Sequence, residues 1–159
     1  MNRLALCSLV ACTTLLSSAA FADTSASVTL GGSVSSSLAI TSAPTAAAST
    51  LDLSGGQKLV KVADLSTGTN NEQGLTITAT SGDLTKAGGT SIAFQVHSVA
   101  DGAGAPVAGA FLVSSGTDYT VGSSAAGAFD RDLYILYTPA ALQDPGSYSG
   151  SISLTVADN

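Results

Sequence analysis

Apolar and small polar residues alternate through residues 26–40. Ala26, Val28, Leu30, Val34, Leu38 and Ile40 fall on one side, in phase with Gly32 and Ser36. Ser27, Thr29, Gly31, Ser33, Ser35, Ser37 and Ala39 fall on the other. A period of two predicts extended strand with one apolar face. The stretch spans roughly 50 Å at ~3.3 Å per residue, whereas a strand of an ordinary domain covers ~17–20 Å. One small domain does not use it as a single strand. Either it breaks in two, or its first half serves something outside its own fold.

The same rhythm recurs downstream. In residues 75–80, Leu75, Ile77 and Ala79 oppose Thr76, Thr78 and Thr80. In 91–99, Ile92, Phe94 and Val96 point inward and Ala93, Gln95 and His97 outward. In 132–138, Leu133, Ile135 and Tyr137 oppose Tyr134 and Leu136, and in 147–156 Tyr148, Gly150, Ile152, Leu154 and Val156 oppose small polar residues. Residues 58–65, 107–113 and 118–121 predict further strands, with 107–113 and 118–121 the weaker. Residues 41–50 and 101–106 read as connections, 66–74 as a polar loop, and Asp144-Pro145-Gly146 as a turn. Outside the first residues no long window has helical periodicity. The pattern predicts an all-β domain, a two-sheet sandwich with one face of each sheet packed and one in water. Segments 36–41, 58–65, 75–80, 91–99, 107–113, 132–138 and 147–156 already fill a seven-strand sandwich, so residues 26–34 are surplus.

Residues 1–22 have the build of a signal peptide. Arg3 precedes an apolar run from Leu4 to Leu16, and Ala20-Phe21-Ala22 gives the small-x-small cleavage pattern. The segment is short and interrupted by Ser and Thr, so no span of a membrane is expected. Leu9-Val10-Ala11-Cys12 also resembles a lipobox, with Cys12 as a lipidated anchor, but leaves a very short apolar run. Both cysteines, Cys7 and Cys12, lie in this leader, so the remaining chain holds no disulfide and no thiolate ligand. The domain organisation expected is a leader over 1–22, an N-terminal extension over 23–35 and a sandwich over 36–159.

The chain carries five basic and eleven acidic residues, a net charge of −6. Its cations are too few and too scattered to track a phosphate backbone, so no nucleic-acid partner is expected.

Signals of chemistry are weak. His97 is a conceivable base or metal ligand, but the leaderless chain has no second histidine and no cysteine beside it, which favours a surface or cross-strand role. Gly146-Ser147-Tyr148-Ser149-Gly150 misses the nucleophile-elbow pattern by one place and leads into a strand. Asp130-Arg131-Asp132 offers two carboxylates for calcium, too few to specify a site. The row Thr76, Thr78, Thr80 reads as the wet face of a strand. The expectation is a non-enzymatic protein without cofactor.

Two stretches together resemble the pilin subunits of the chaperone–usher pathway, nearest to its disulfide-free alternative classes. Val28-Thr29-Leu30-Gly31-Gly32-Ser33-Val34 is similar to a donor strand, with a glycine flanked at two places either side by apolar residues: Leu30, Gly32, Val34. Residues 145–156 resemble a closing strand, starting Gly146-Ser147-Tyr148-Ser149-Gly150 and continuing Ile152, Leu154, Val156. The chain departs from type 1 pilins in lacking a cysteine pair and in ending Ala157-Asp158-Asn159 without a penultimate aromatic. The resemblance implies an immunoglobulin-like sandwich short of one strand. Its groove is held first by a periplasmic chaperone at an outer-membrane usher, then by the extension of a like subunit in a surface fimbria. The alternative is a secreted, self-complete sandwich for adhesion or carbohydrate binding, in which residues 26–34 fold into their own domain.

Overall fold

The computed structural model describes residues 25–159, so the leader, its cleavage site and Cys12 lie outside the described residues. The chain divides into a segment ending at Ser33 and a compact body, Val34–Asn159. The body is all-β and sandwich-like. Its strands are β1 (Leu38–Pro44), β2 (Lys58–Thr69), β3 (Leu75–Thr80), β4 (Asp83–Leu84), β5 (Ile92–Ala100), β6 (Asp118–Gly122), β7 (Gly127–Ala128), β8 (Arg131–Tyr137) and β9 (Ser153–Asp158). One sheet has the order β1-β2-β8-β5-β4, with β7 also on β2, and the other the order β6-β3-β9. Every pairing is antiparallel.

The alternation seen in sequence places the core. Ala79 of β3 is buried in one cluster with Phe94 and Val96 of β5, Leu133, Ile135 and Tyr137 of β8, and Ala63 and Leu65 of β2. Leu75 and Ile77, in phase with it on β3, are buried as well. The threonines between the β3 residues stay at the surface or half-buried. β8 is buried on both faces from Asp132 to Tyr137, because its outer face has a cover of its own. Phe111 packs there on Tyr134 and Leu136, beside Leu59 and Val99.

That cover corrects one expectation. Residues 107–113 form no strand; they make a short 3-10 turn, Ala108–Ala110, and deliver Phe111 to the sheet. The Gln95 amide donates to the carbonyls of Phe111 (3.1 Å) and Val113 (3.0 Å), satisfying backbone groups that lie outside any ladder.

Two other boundaries move. β2 runs to Thr69, four residues into the stretch expected as polar loop, and Thr67 and Thr69 are buried. Burial is tolerated because their hydroxyls are bonded: Thr67 donates to the Phe129 carbonyl (2.5 Å) and Thr69 to the Asp158 carboxylate (2.5 Å). The closing strand is shorter than expected. Only residues from Ser153 onward pair with β3, while Ser149 bridges Thr85, next to β4. Residues 149–158 therefore pass from one sheet to the other alongside the β3–β4 bend. Gly150 sits at the crossing, where a Cβ would lie 2.9 Å from the Asp83 carbonyl oxygen and 3.1 Å from Leu84 Cδ2. Only glycine lets the two backbones approach so closely.

Phe111→Ala removes the side chain that covers the outer face of β8 and uncovers Tyr134 and Leu136. A loss of about 3 kcal/mol is expected, measured by denaturant unfolding, with the order of strands unchanged.

Candidate functional site

A sandwich has two seams where the edges of its sheets face each other, and here they differ. Along the first, β5 meets β6. The Tyr119 hydroxyl of β6 accepts a hydrogen bond from the Ser98 amide (3.2 Å) and lies 3.2 Å from its hydroxyl. Arg131 donates to the Ser98 carbonyl (2.8 Å) and hydroxyl (3.2 Å). Side chains thus occupy the edge groups of β5 that no strand pairs.

Along the second seam β1 and β9 face each other. Among the described residues β1 pairs only with β2 and β9 only with β3, so both turn an unpaired edge to this seam. One end is tied shut: the Asp158 carboxylate accepts from Thr69 (2.5 Å) and Ser36 (3.0 Å). Towards the other end lies an apolar cleft of about 260 Å³, whose floor is Val62, Leu84, Phe94, Leu133 and Ile135. Its walls are Ser42 and Pro44 on one side, and Ile152 and Leu154 on the other. A second hollow of about 450 Å³ shares Ala48, Leu51, Leu84 and Gly150 with the first, extending the groove past Leu53 and Tyr148. The rim at 51–53 is fixed: the Tyr137 hydroxyl donates to the Asp52 carbonyl (3.1 Å), and Lys58 bonds the Asp52 carboxylate at 2.7 Å. With the Lys58 ammonium and Ser54 bound to it, that carboxyl ionises well below the usual carboxylate range.

Burial shows that the groove is unfilled. Leu154 and Val156 pair directly with Ala79 and Ile77, so they share the inward face. Their partners are 1% and 2% exposed, yet Leu154 and Val156 are only half-buried. On β1, Ser42 and Pro44 stand opposite buried Leu65 and Ala63 and are themselves exposed. Both edge strands turn inward-phased residues toward a space that no strand among the described residues fills.

Of the residues expected in a closing strand, Leu154 and Val156 lie in β9. Ile152 lines the groove just before it, Gly150 lies in the crossing segment, and Tyr148, one residue before that segment, lines the second hollow. The expected donor residues form no strand: Val28, Leu30 and Val34 are 83%, 90% and 90% exposed, and a Cβ on Gly32 would meet nothing within 4 Å. Sequence reasoning missed Asp158, which ties one end of the seam; an acidic residue in phase with Leu154 and Val156 was the available signal.

The residues singled out for chemistry have structural partners. His97 is half-buried, with its ring centroid 5.5 Å from that of Phe111 and 5.3 Å from that of Tyr119. Asp130 accepts from the Thr67 amide (3.0 Å) and the Ser66 hydroxyl (3.0 Å), standing in for a ladder carbonyl where β7 gives way to β8. Asp132 is buried in a group of carboxylates with Asp64 and Asp101. The Lys61 ammonium reaches into that group, 2.6 Å from Asp64 and 2.8 Å from Asp132, and supplies the cation there. Lys61 holds Asp132 below the ordinary carboxylate range, and the two aspartates push the lysine up.

Comparison with models of known families, with curated proteins and with solved structures finds no match to this chain.

Burial, aided by the Arg131 charge, lowers the His97 pKa below its ordinary 6.5. An unfolded chain then takes up a proton near that pH which the folded chain refuses, so stability falls as pH drops below about 6.5. Unfolding titrations between pH 7 and 5.5 are expected to show this slope, and His97→Gln to flatten it. Lys61→Met strands the Asp132 charge and is expected to destabilise more than Asp64→Ala. The pair Lys61→Met with Asp132→Leu recovers most of the loss, as thermal melts of the three variants check.

Proposed function

We propose that this protein is a structural subunit of an extracellular, fimbria-like filament, in which residues 26–34 of one copy complete the groove of another. The observation that carries the reading is a mismatch within one chain. The body has a seam with two unpaired edges over an apolar floor, and the chain also has an alternating apolar segment that is exposed and unpaired. A strand laid in the seam gives the edges of β1 and β9 backbone partners and covers Leu154, Val156 and the floor. The sandwich is then immunoglobulin-like and short of one strand until a neighbour supplies it.

Strand addition of this kind takes its affinity from main-chain bonds and its selectivity from alternate side chains. Burying Val28, Leu30 and Val34 contributes roughly 5–9 kcal/mol before ordering costs. Gly32 suits a place where the backbone must lie close to the floor. An open apolar seam is also an aggregation hazard. A chaperone that occupies it in the periplasm, and an usher that exchanges chaperone for subunit at the outer membrane, fit this reading, as does a secreted, surface-exposed destination. No helix among the described residues is long and apolar enough to cross a membrane. The alternative reading is a self-complete binding module, in which residues 26–34 fold into their own sandwich.

The chain from Asp23 onward is expected to form long-lived multimers, and Leu30→Asp to abolish them in size-exclusion chromatography and electron microscopy. A synthetic peptide of residues 26–34 then stabilises the Leu30→Asp chain, raising its Tm by about 10 °C at a hundredfold excess over Kd. Leu154→Asp removes that response. Multimers that survive Leu30→Asp overturn the proposal.

A further inference from the structure

Residues 35–37, just before β1, are exposed and belong to no strand, yet their main chain is tied to the end of β2. The last ladder pair of β1 and β2 is Leu38 with Thr69. One step beyond it, the Asn70 amide donates to the Ser37 carbonyl (3.1 Å), so main-chain pairing continues to residue 37. There β2 gives out. Asn71 turns away, its amide bound to the Thr69 hydroxyl (2.9 Å) and its carbonyl to the Gly74 amide (2.9 Å). The Asn70 side chain takes over: its Oδ1 accepts from the Ser37 amide (2.8 Å) and its Nδ2 donates to the Ser35 carbonyl (2.8 Å). A carboxamide carries one acceptor and a donor in a plane, as a peptide group does, and here it extends the ladder past the end of the strand. Ser36 is bonded on its own account, to Asp158 (3.0 Å).

These bonds bear on the groove. The free edge of β1 could be filled by the chain's own residues 26–34 if residues 35–37 made a hairpin turn, since loops of two to five residues serve that purpose. Three serines are permissive for a turn. Such a turn breaks the bonds from Asn70 to Ser35 and Ser37. We propose that Asn70 is a positioning residue, a latch that keeps residues 35–37 extended. The apolar segment before them is thereby offered to a second copy and kept from folding back on its own β1. The inference rests on the functional reading above and adds what decides between exchange and self-closure.

The test uses the chain from Asp23 onward, refolded at low concentration. Size-exclusion chromatography separates single copies from multimers, and hydrogen exchange reports protection of residues 26–34 in the single copies. Asn70→Ala is expected to raise the proportion of single copies with a protected segment about five- to thirtyfold, the effect of losing one or two hydrogen bonds. Ser36→Pro added to Asn70→Ala restores the wild-type distribution, because proline fixes φ and pushes Ser35 to extended backbone without Asn70. If Asn70→Ala does not fold, Asn70→Asp keeps the acceptor for Ser37 and loses only the donor to Ser35, and the same two measurements decide. Unchanged distribution and protection in the variant, or no rescue by proline, overturns the latch. A wild-type chain that never forms multimers sinks the filament reading alone, and protection in the single copies of the variant still decides the latch.

Discussion

A strand edge carries backbone donors and acceptors that must be paired, covered or left in water, and this requirement organises the molecule. At the β5–β6 seam the answer is chemical: Tyr119 and Arg131 saturate Ser98 and the sheets are joined by side chains. At the β1–β9 seam no side chain plays that part beyond Ser36, Thr69 and Asp158 at one end. Over the floor of Val62, Leu84, Phe94, Leu133 and Ile135 the seam is apolar, so water is a poor partner there. On the reading proposed above, that edge is the one a further strand would pair.

The rest of the architecture supports that contrast. β8, buried on both faces, gives the groove a stiff floor through Leu133 and Ile135. Phe111 covers Tyr134 and Leu136 on the outer face, while at the groove Leu154 and Val156 remain half-covered. The Lys61–Asp132 pair lies on the covered sheet, where a buried charge is tolerated because its partner is fixed 2.8 Å away.

Much of the fold was legible because burial on one face leaves a period of two. β3, β5 and β8 stand where alternation in Leu75, Ile77, Ala79, then Ile92, Phe94, Val96, and then Leu133, Ile135, Tyr137 put them. The failures have physical causes. Thr67 and Thr69 look like loop residues by composition, and only the Phe129 carbonyl and Asp158, distant in sequence, let them be buried. Residues 107–113 are apolar enough for a strand, but Phe111 serves a sheet face instead of a ladder. Residues 147–152 alternate cleanly while changing sheets, since alternation reports faces and is silent about partners. The surplus of residues 26–34 came from a seven-strand count that included 107–113, which form no strand, so that count did not announce the groove. Of its walls, Ile152 and Leu154 fell in a segment that alternation marked as strand, whereas Ser42 and Pro44 lay in a stretch whose composition reads as a connection. Asn70 was hidden in a polar run whose members look interchangeable.

The bond between Ser36 and Asp158 has a topological meaning. The two ends of the body's chain meet at one pole of the sandwich, so the fold is close to a closed ring with a cut. Where the cut falls is a matter of genetic order and not of packing, as in domains that tolerate circular permutation. The segment that precedes Ser36 and one attached after Asn159 start from nearly the same point in space.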